Sequence, residues 1–309
     1  MTYDTIIIGG GPGGAAAAVY AARKQLKTII VTPEFGGQSV VSEDIQNWIG
    51  TPHISGAKLA SSLKSHVMTH VGPWLDIKEG QKVTSVEKDG GLFNVGLSYG
   101  TTISSRSVLI TAGSSRRKLE SKGADIFEHK GLTYCASCDG PIFSGMDVVV
   151  LGGGNAAFET AAQLLAYCKS VTLINRTDKF RADEITVESV KKHPNIRIIT
   201  NAVVKEVLGD GFVNGIIVSH TDTGEDEQLA ISGIFVEIGQ ISNGDFLKNI
   251  VAVDETGKIK IDPWTQRTET AGIWAAGDIT NVRYHQNNIA AGDAVKAIED
   301  LYIWIKTGK

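Results

Sequence analysis

Cysteine is scarce. Three in 309 residues exclude a small secreted scaffold stapled by disulfides. Long apolar runs are missing too: the longest aliphatic stretches are strand-sized, short of the roughly 18 residues a membrane-spanning helix needs. Nor is there an excess of positive charge. Lys and Arg number 30 against 34 Asp and Glu, a net charge of −4, which gives no support for a nucleic-acid or membrane-surface binder. The amino terminus has no basic segment and no cleavage site. Met1-Thr2-Tyr3-Asp4 leads directly into Thr5-Ile6-Ile7-Ile8, so the expected location is cytoplasmic. In that compartment a C-x-x-C pair means redox chemistry or a metal.

The chain is apolar enough to fold, with 42% hydrophobic and 21% charged residues, and its length suggests two domains at about 150 residues each. Glycine is in excess: 35 residues is about 11% against a usual 7% or so. The surplus is clustered. The strand run Ile6-Ile7-Ile8 leads into Gly9-Gly10-Gly11-Pro12-Gly13-Gly14, then an alanine-rich helix to Arg23, then a strand Thr28–Val31. The same grammar returns at Val148–Leu151, Gly152-Gly153-Gly154-Asn155-Ala156-Ala157, a helix to about Tyr167 and a strand Val171–Ile174. Each copy fits G-x-G-x-x-G/A, first at Gly9, Gly11 and Gly14, then at Gly152, Gly154 and Ala157. The first glycine permits the tight turn, the second lets backbone approach a pyrophosphate, and the third brings helix and strand together. Two such units between strand and helix predict two dinucleotide-binding domains.

Between the units, Lys82–Glu87 and Phe93–Val95 alternate and predict antiparallel strands. Ser107–Gly113 and Gly272–Asp278 are apolar runs that end in small residues, which either let a flat cofactor lie on backbone or simply exit to a loop. Asp278 either accepts hydrogen bonds from a polyol or closes a turn.

Cys135 and Cys138 form the single C-x-x-C. Such a pair can close a small disulfide ring and pass two electrons by thiol–disulfide exchange. A structural zinc site needs four ligands, and no second C-x-x-C or Cys/His pair stands at finger spacing, so no metal is expected. Asp139, beside the pair, either handles the proton that exchange requires or serves as a turn residue before Gly140-Pro141. Cys168 is read as a buried hydrophobe without a role.

Two dinucleotide units and a C-x-x-C resemble the low-molecular-weight thioredoxin reductases and, as closely, the reductase part of the alkyl hydroperoxide reductase flavoprotein. The resemblance runs through Gly9–Gly14, Gly36-Gly37-Gln38, Asn47, Cys135–Gly140, Gly152–Ala157, Arg181-Ala182-Asp183, Ala275–Asp278 and Gln286. It implies an α/β fold of two Rossmann-like three-layer domains: a split FAD domain (1–114 and 245–309) and an inserted NAD(P)H domain (115–244) carrying the C-x-x-C. The strands near Gly113–Arg116 and Gln240–Gly244 would be hinges between two domain orientations, in a homodimer. FAD would lie on Gly9, Gly11, Pro12, Gly13 and Gly14, with Glu34, Gly37, Gln38, Asn47, Ala112, Gly113, Gly277, Asp278, Gln286 and Asn287 around it. The nicotinamide nucleotide would take Gly152, Gly154, Asn155, Ala156, Ala157, Arg176 and Arg181. Cys138 would face the flavin, Cys135 would attack the disulfide of thioredoxin or a glutaredoxin-like protein, and Asp139 would be the acid/base.

Two segments depart from the thioredoxin reductase pattern. Relatives that prefer NADPH carry His-Arg-Arg-x-x-x-Arg, where this chain has Asn175-Arg176-Thr177-Asp178-Lys179-Phe180-Arg181. Keeping one of the paired arginines favours NADPH, with NADH the alternative. His285 replaces the usual arginine before Gln286. Competing readings are a ferredoxin-dependent reductase or dithiol oxidase of the same fold, and a non-catalytic nucleotide-sensing flavoprotein.

Overall fold

The computed structural model describes residues 2–42, 45–247 and 250–308. The chain divides into two compact units, Met1–Ser115 with Ile241–Lys309, and Arg116–Gln240. In chain order, the first unit contributes β1 (Thr2–Gly10), α1 (Pro12–Arg23), β2 (Thr28–Phe35), α2 (Gly56–Met68), β3 (Leu75–Glu79), β4 (Val83–Asp89), β5 (Leu92–Leu97) and β6 (Thr102–Ile110). The chain crosses on β7 (Ser114–Arg116). The second unit holds β8 (Leu132–Thr133), α3 (Ala136–Asp139), β9 (Asp147–Leu151), α4 (Asn155–Leu165), β10 (Ser170–Ile174), α5 (Glu184–Lys191), β11 (Ile196–Ile199), β12 (Ala202–Asp210), β13 (Phe212–His220), β14 (Asp226–Ala230) and β15 (Gly233–Val236). The chain returns on β16 (Gln240–Ser242), which pairs with β7, and ends with β17 (Ile273–Ala275) and α6 (Asn287–Thr307).

In the first unit the strand order is β3-β2-β1-β6, all parallel. The long β6 divides its other edge: Thr102–Ser105 pair with antiparallel β5, and Val108–Ile110 with parallel β17. The unbroken apolar run of β1 follows from burial on both faces. Ile7 joins Leu109 and Trp274 in a core with α1 and α6, while Ile6 and Ile8 join Val108 and Ile110 in the core behind. Eight of the twelve residues of α1 are Gly or Ala, which lets it pack closely on α6.

The second unit carries a five-stranded parallel sheet, β11-β10-β9-β15-β8, and an antiparallel sheet, β12-β13-β14. Val148 and Val150 face the core under α4 and α5; Val149 and Leu151 face the other side. Both parallel sheets reverse direction of growth beside their first strand, β1 or β9. That is the doubly wound arrangement, so the fold is α/β with two Rossmann-like units.

The antiparallel pair expected between the glycine units is β4 and β5. Three boundaries differ from the apolar runs. Strand β2 continues past Val31 through a register irregularity that pairs Gly10 with Phe35. Glu34 therefore stands exposed within a strand, not in a loop beyond one. Strand β6 stops at Ile110, and both the amide and the hydroxyl of Thr111 donate to the Ile8 carbonyl (2.8 and 2.9 Å). Helix α4 stops at Leu165, and the Tyr167 carbonyl accepts from Gly145 N instead (2.9 Å).

Candidate functional site

Steric limits shape the first glycine turn. Gly9 has φ +113, and a Cβ there would stand 2.4 Å from the Thr111 carbonyl oxygen. A Cβ on Gly10 would lie 2.5 Å from Thr32 Oγ1. Gly11 is different. It is the N-cap of α1, Pro12 follows in the first turn, and the nearest atom to an added Cβ is Gly37 Cα at 3.8 Å. The backbone is thus open at the second glycine, where the helix presents its amino end.

A polar ring joins the segment after β2 to the amino end of α6. Gln38 Nε2 donates to Asp278 Oδ2 (3.2 Å) and to Ser114 Oγ (3.4 Å). Ser39 Oγ donates to Asn287 Oδ1 (2.8 Å), Asn47 Nδ2 to Gln286 Oε1 (3.2 Å), and Asn288 Nδ2 to the Asn47 carbonyl (2.7 Å). Gly277 takes φ +78 against Ala290, and Gly113 takes φ +65 beside Ala112, whose carbonyl accepts from Asn243 Nδ2 (2.9 Å). Gly13 packs its Cα side on the Ala290 carbonyl. Gln38, Asn47, Asp278, Gln286 and Asn287 are brought together; Glu34 is not part of this ring.

The second turn repeats the logic with different neighbours. Gly152 has φ +139, and a Cβ there would lie 2.3 Å from the Glu237 carbonyl oxygen. Gly154 is the N-cap of α4 and has nothing within 4 Å of an added Cβ. The loop after β10 is stapled to this turn: Arg181 N donates to the Gly153 carbonyl (2.7 Å), and Asp183 N to Asn155 Oδ1 (2.7 Å). Buried Asn175 shapes the same loop by donating to the carbonyls of Thr177 and Lys179, both at 2.9 Å. Arg176 and Arg181 stand exposed, as do Asn155 and Ala156, while Ala157 is buried.

Beside this turn lies a buried carboxylate. Glu237 follows β15; its side chain is 9% exposed and pairs with Arg116 (3.1 Å) and Thr160 Oγ1 (3.0 Å). Burial pushes its carboxyl above the usual range, and Arg116 and Thr160 offset this only in part.

Cys135 and Cys138 are joined in a disulfide, with Cα atoms 5.3 Å apart. Cys135 caps the short helix α3, and Cys138 N lies 3.2 Å from Cys135 Sγ. Asp139 accepts from the Thr133 hydroxyl. Among the described residues no group of three or more His, Cys, Asp or Glu could hold a metal, and no helix is long and apolar enough to cross a membrane. Cys168 is buried, and burial pushes its thiol up to about 11.

Residues 3–294 match the model of the pyridine nucleotide-disulphide oxidoreductases. The chain belongs to that family. Within it, the chain is 38% identical over 296 residues to the F subunit of the alkyl hydroperoxide reductase from Xanthomonas campestris pv. phaseoli, covering 96% of this chain and 56% of that protein. It is 38% identical over 295 residues to a protein named NADH dehydrogenase from Ferdinandcohnia aciditolerans, covering 96% and 56%. The thioredoxin reductase structure from Giardia duodenalis superposes with a TM-score of 0.93 at 30% identity, covering 99% of each chain. The chain thus spans about half the length of the curated relatives it matches.

Membership in the pyridine nucleotide-disulphide oxidoreductases implies FAD and a nicotinamide nucleotide. The two turns fit such groups, because Gly11 and Gly154 leave backbone open at the amino ends of α1 and α4. Ser39, Asn288, Thr133, Thr160 and Glu237 carry no role in the sequence reading, and Asn175 enters it only as the first residue of the segment compared with the NADPH pattern. A charge inside the apolar run Ile234–Ile238 was the available signal for Glu237. The others are small polar residues whose partners lie far along the chain or across a turn.

Proposed function

We propose that the protein is a flavoenzyme of the thioredoxin reductase type that passes electrons from NADPH, or NADH, through FAD to the Cys135–Cys138 disulfide, and on to the disulfide of thioredoxin or a glutaredoxin-like protein. The observation that carries this reading is the closed Cys135–Cys138 disulfide in a chain with two dinucleotide turns. FAD, when bound, supplies two-electron exchange between a nicotinamide and a disulfide.

In this reading residues 1–114 and 245–309 form the FAD domain and 115–244 the NAD(P)H domain. Gly9, Gly11, Pro12, Gly13 and Gly14 cradle the FAD diphosphate. Glu34 takes the adenosine end. Gly37, Gln38, Asn47, Ala112, Gly113, Gly277, Asp278, Gln286 and Asn287 hold the ring and its sugar chain. Gly152, Gly154, Asn155, Ala156 and Ala157 bind the second dinucleotide, with Arg176 and Arg181 at its adenosine end. Arg176 favours NADPH; the name of the Ferdinandcohnia relative favours NADH. Cys138 is the sulfur that is reduced first, Cys135 attacks the partner, and Asp139 carries the proton. The protein acts as a cytoplasmic homodimer.

The deciding experiment is an anaerobic titration of the yellow protein with NADPH and with NADH, followed by addition of oxidised thioredoxin. Bleaching by a nicotinamide nucleotide and recovery on addition of thioredoxin is the expected result. In Cys138→Ser, bleaching persists and thioredoxin turnover is lost. Bleaching by reduced ferredoxin or small dithiols alone, or bleaching with no disulfide turnover, overturns the proposal.

A further inference from the structure

Thr133 is the last residue of β8, where it pairs with Phe235 of β15. Its side chain is buried. The hydroxyl donates to Oδ2 of Asp139 and lies 3.5 Å from the Cys135 amide nitrogen, which donates to it. One hydroxyl therefore links the first cysteine's backbone to the carboxylate that follows the second cysteine. A threonine has a single proton to donate. Given to Oδ2, it fixes the rotation of the carboxyl group.

We infer that Thr133 is a positioning residue for thiol–disulfide exchange at Cys135–Cys138, acting through Asp139. The inference rests on the redox role proposed above. In the exchange, the Cys135 thiolate attacks one sulfur of a partner disulfide. A Cys135–partner bond forms, the partner's own S–S bond breaks, and the departing thiolate takes the proton held by Asp139. The Asp139 carboxylate then takes the Cys138 proton, and the Cys138 thiolate attacks Cys135 Sγ. The Cys135–Cys138 bond re-forms and the second partner thiolate leaves. The protein dithiol is oxidised by two electrons and the partner disulfide is reduced by two. Losing the Thr133 hydroxyl frees the carboxyl to rotate, so only steps that need its proton slow down.

That selectivity provides the test. The reduced flavoprotein is mixed anaerobically with two disulfide probes. Hydroxyethyl disulfide releases an alkyl thiolate that requires a proton. Dithiobis-nitrobenzoate releases a stable aryl thiolate that does not. Thr133→Val should slow release of the first thiolate from hydroxyethyl disulfide about tenfold and from dithiobis-nitrobenzoate less than about twofold, and Thr133→Ser should restore the first of these rates. Equal slowing with both probes means that Thr133 only shapes the cysteine loop, and overturns the inference. So does an unchanged rate with both. If Thr133→Val does not fold, Thr133→Ala is read by the same criteria. A wild-type protein that exchanges with neither probe refutes the redox role itself, a result distinct from any effect of Thr133.

Discussion

Gly14 faces Gly9 so closely that a Cβ on Gly14 would stand 1.8 Å from the Gly9 carbonyl oxygen. The obstacle is backbone at the end of β1, which cannot swing aside as a side chain can. Gly14→Ala is therefore expected to cost about 3 kcal/mol or more and to yield protein with little bound flavin, checked by the flavin-to-protein absorbance ratio and by urea unfolding. The second turn tolerates a methyl at the equivalent place, Ala157, which is buried. Ala157→Gly should cost only about 1 kcal/mol, mostly helix propensity.

The thiols should react in two classes. The oxidised protein has Cys135 and Cys138 in a disulfide and Cys168 buried with its thiol pushed up to about 11. A thiol reagent near neutral pH should find nothing rapid before reduction and two fast thiols after it. Cys168 should react only on unfolding. A fast thiol in the oxidised protein contradicts this.

Glu237 carries a pH signature of stability. Its folded carboxyl titrates above the ordinary 4.5, burial being the largest cause. The unfolded chain therefore loses its proton first as pH rises. This contribution to stability is fully present below about 4.5 and falls as pH climbs from there through the raised folded value, then levels off. Glu237→Gln should flatten that slope in urea midpoints measured across the window. Arg116→Ala should cost about 2 kcal/mol. That is below the loss for a fully buried pair, because the Arg116 side chain is 28% exposed.

Arg176→Ala should raise KM for NADPH about tenfold and change KM for NADH less than about twofold, since the 2′-phosphate forms an ion pair with a guanidinium and the neutral ribose hydroxyl of NADH does not. Steady-state rates with each nucleotide check it. Equal losses refute the role given to Arg176.

The parts of this fold that were legible in the sequence are those fixed by local sterics. The runs at Ile6–Ile8 and Val148–Leu151 announce strands buried on both faces, and small residues at Gly9, Gly14 and Gly152 are where a Cβ would strike backbone. The polar ring is another matter. Gln38 and Asp278 are 240 positions apart, and no local pattern pairs them; only resemblance to a family set them side by side. Thr133 and Glu237 were hidden for the opposite reason. They interrupt apolar stretches without any period, and their meaning depends on the neighbouring strand. The extension of β2 to Phe35 was missed because Pro33 and Glu34 break the apolar run while the backbone pairing continues through the irregularity at Gly10.

The outgoing and incoming crossings, β7 and β16, are hydrogen-bonded to each other. A module whose two ends emerge side by side can be gained, lost or exchanged as a cassette by cutting the chain at two adjacent points. The host sheet would not be torn, because every strand paired with β1 and β6 belongs to the remaining segments. Transplanting the Arg116–Gln240 unit of a relative thus becomes a matter of joining two neighbouring ends.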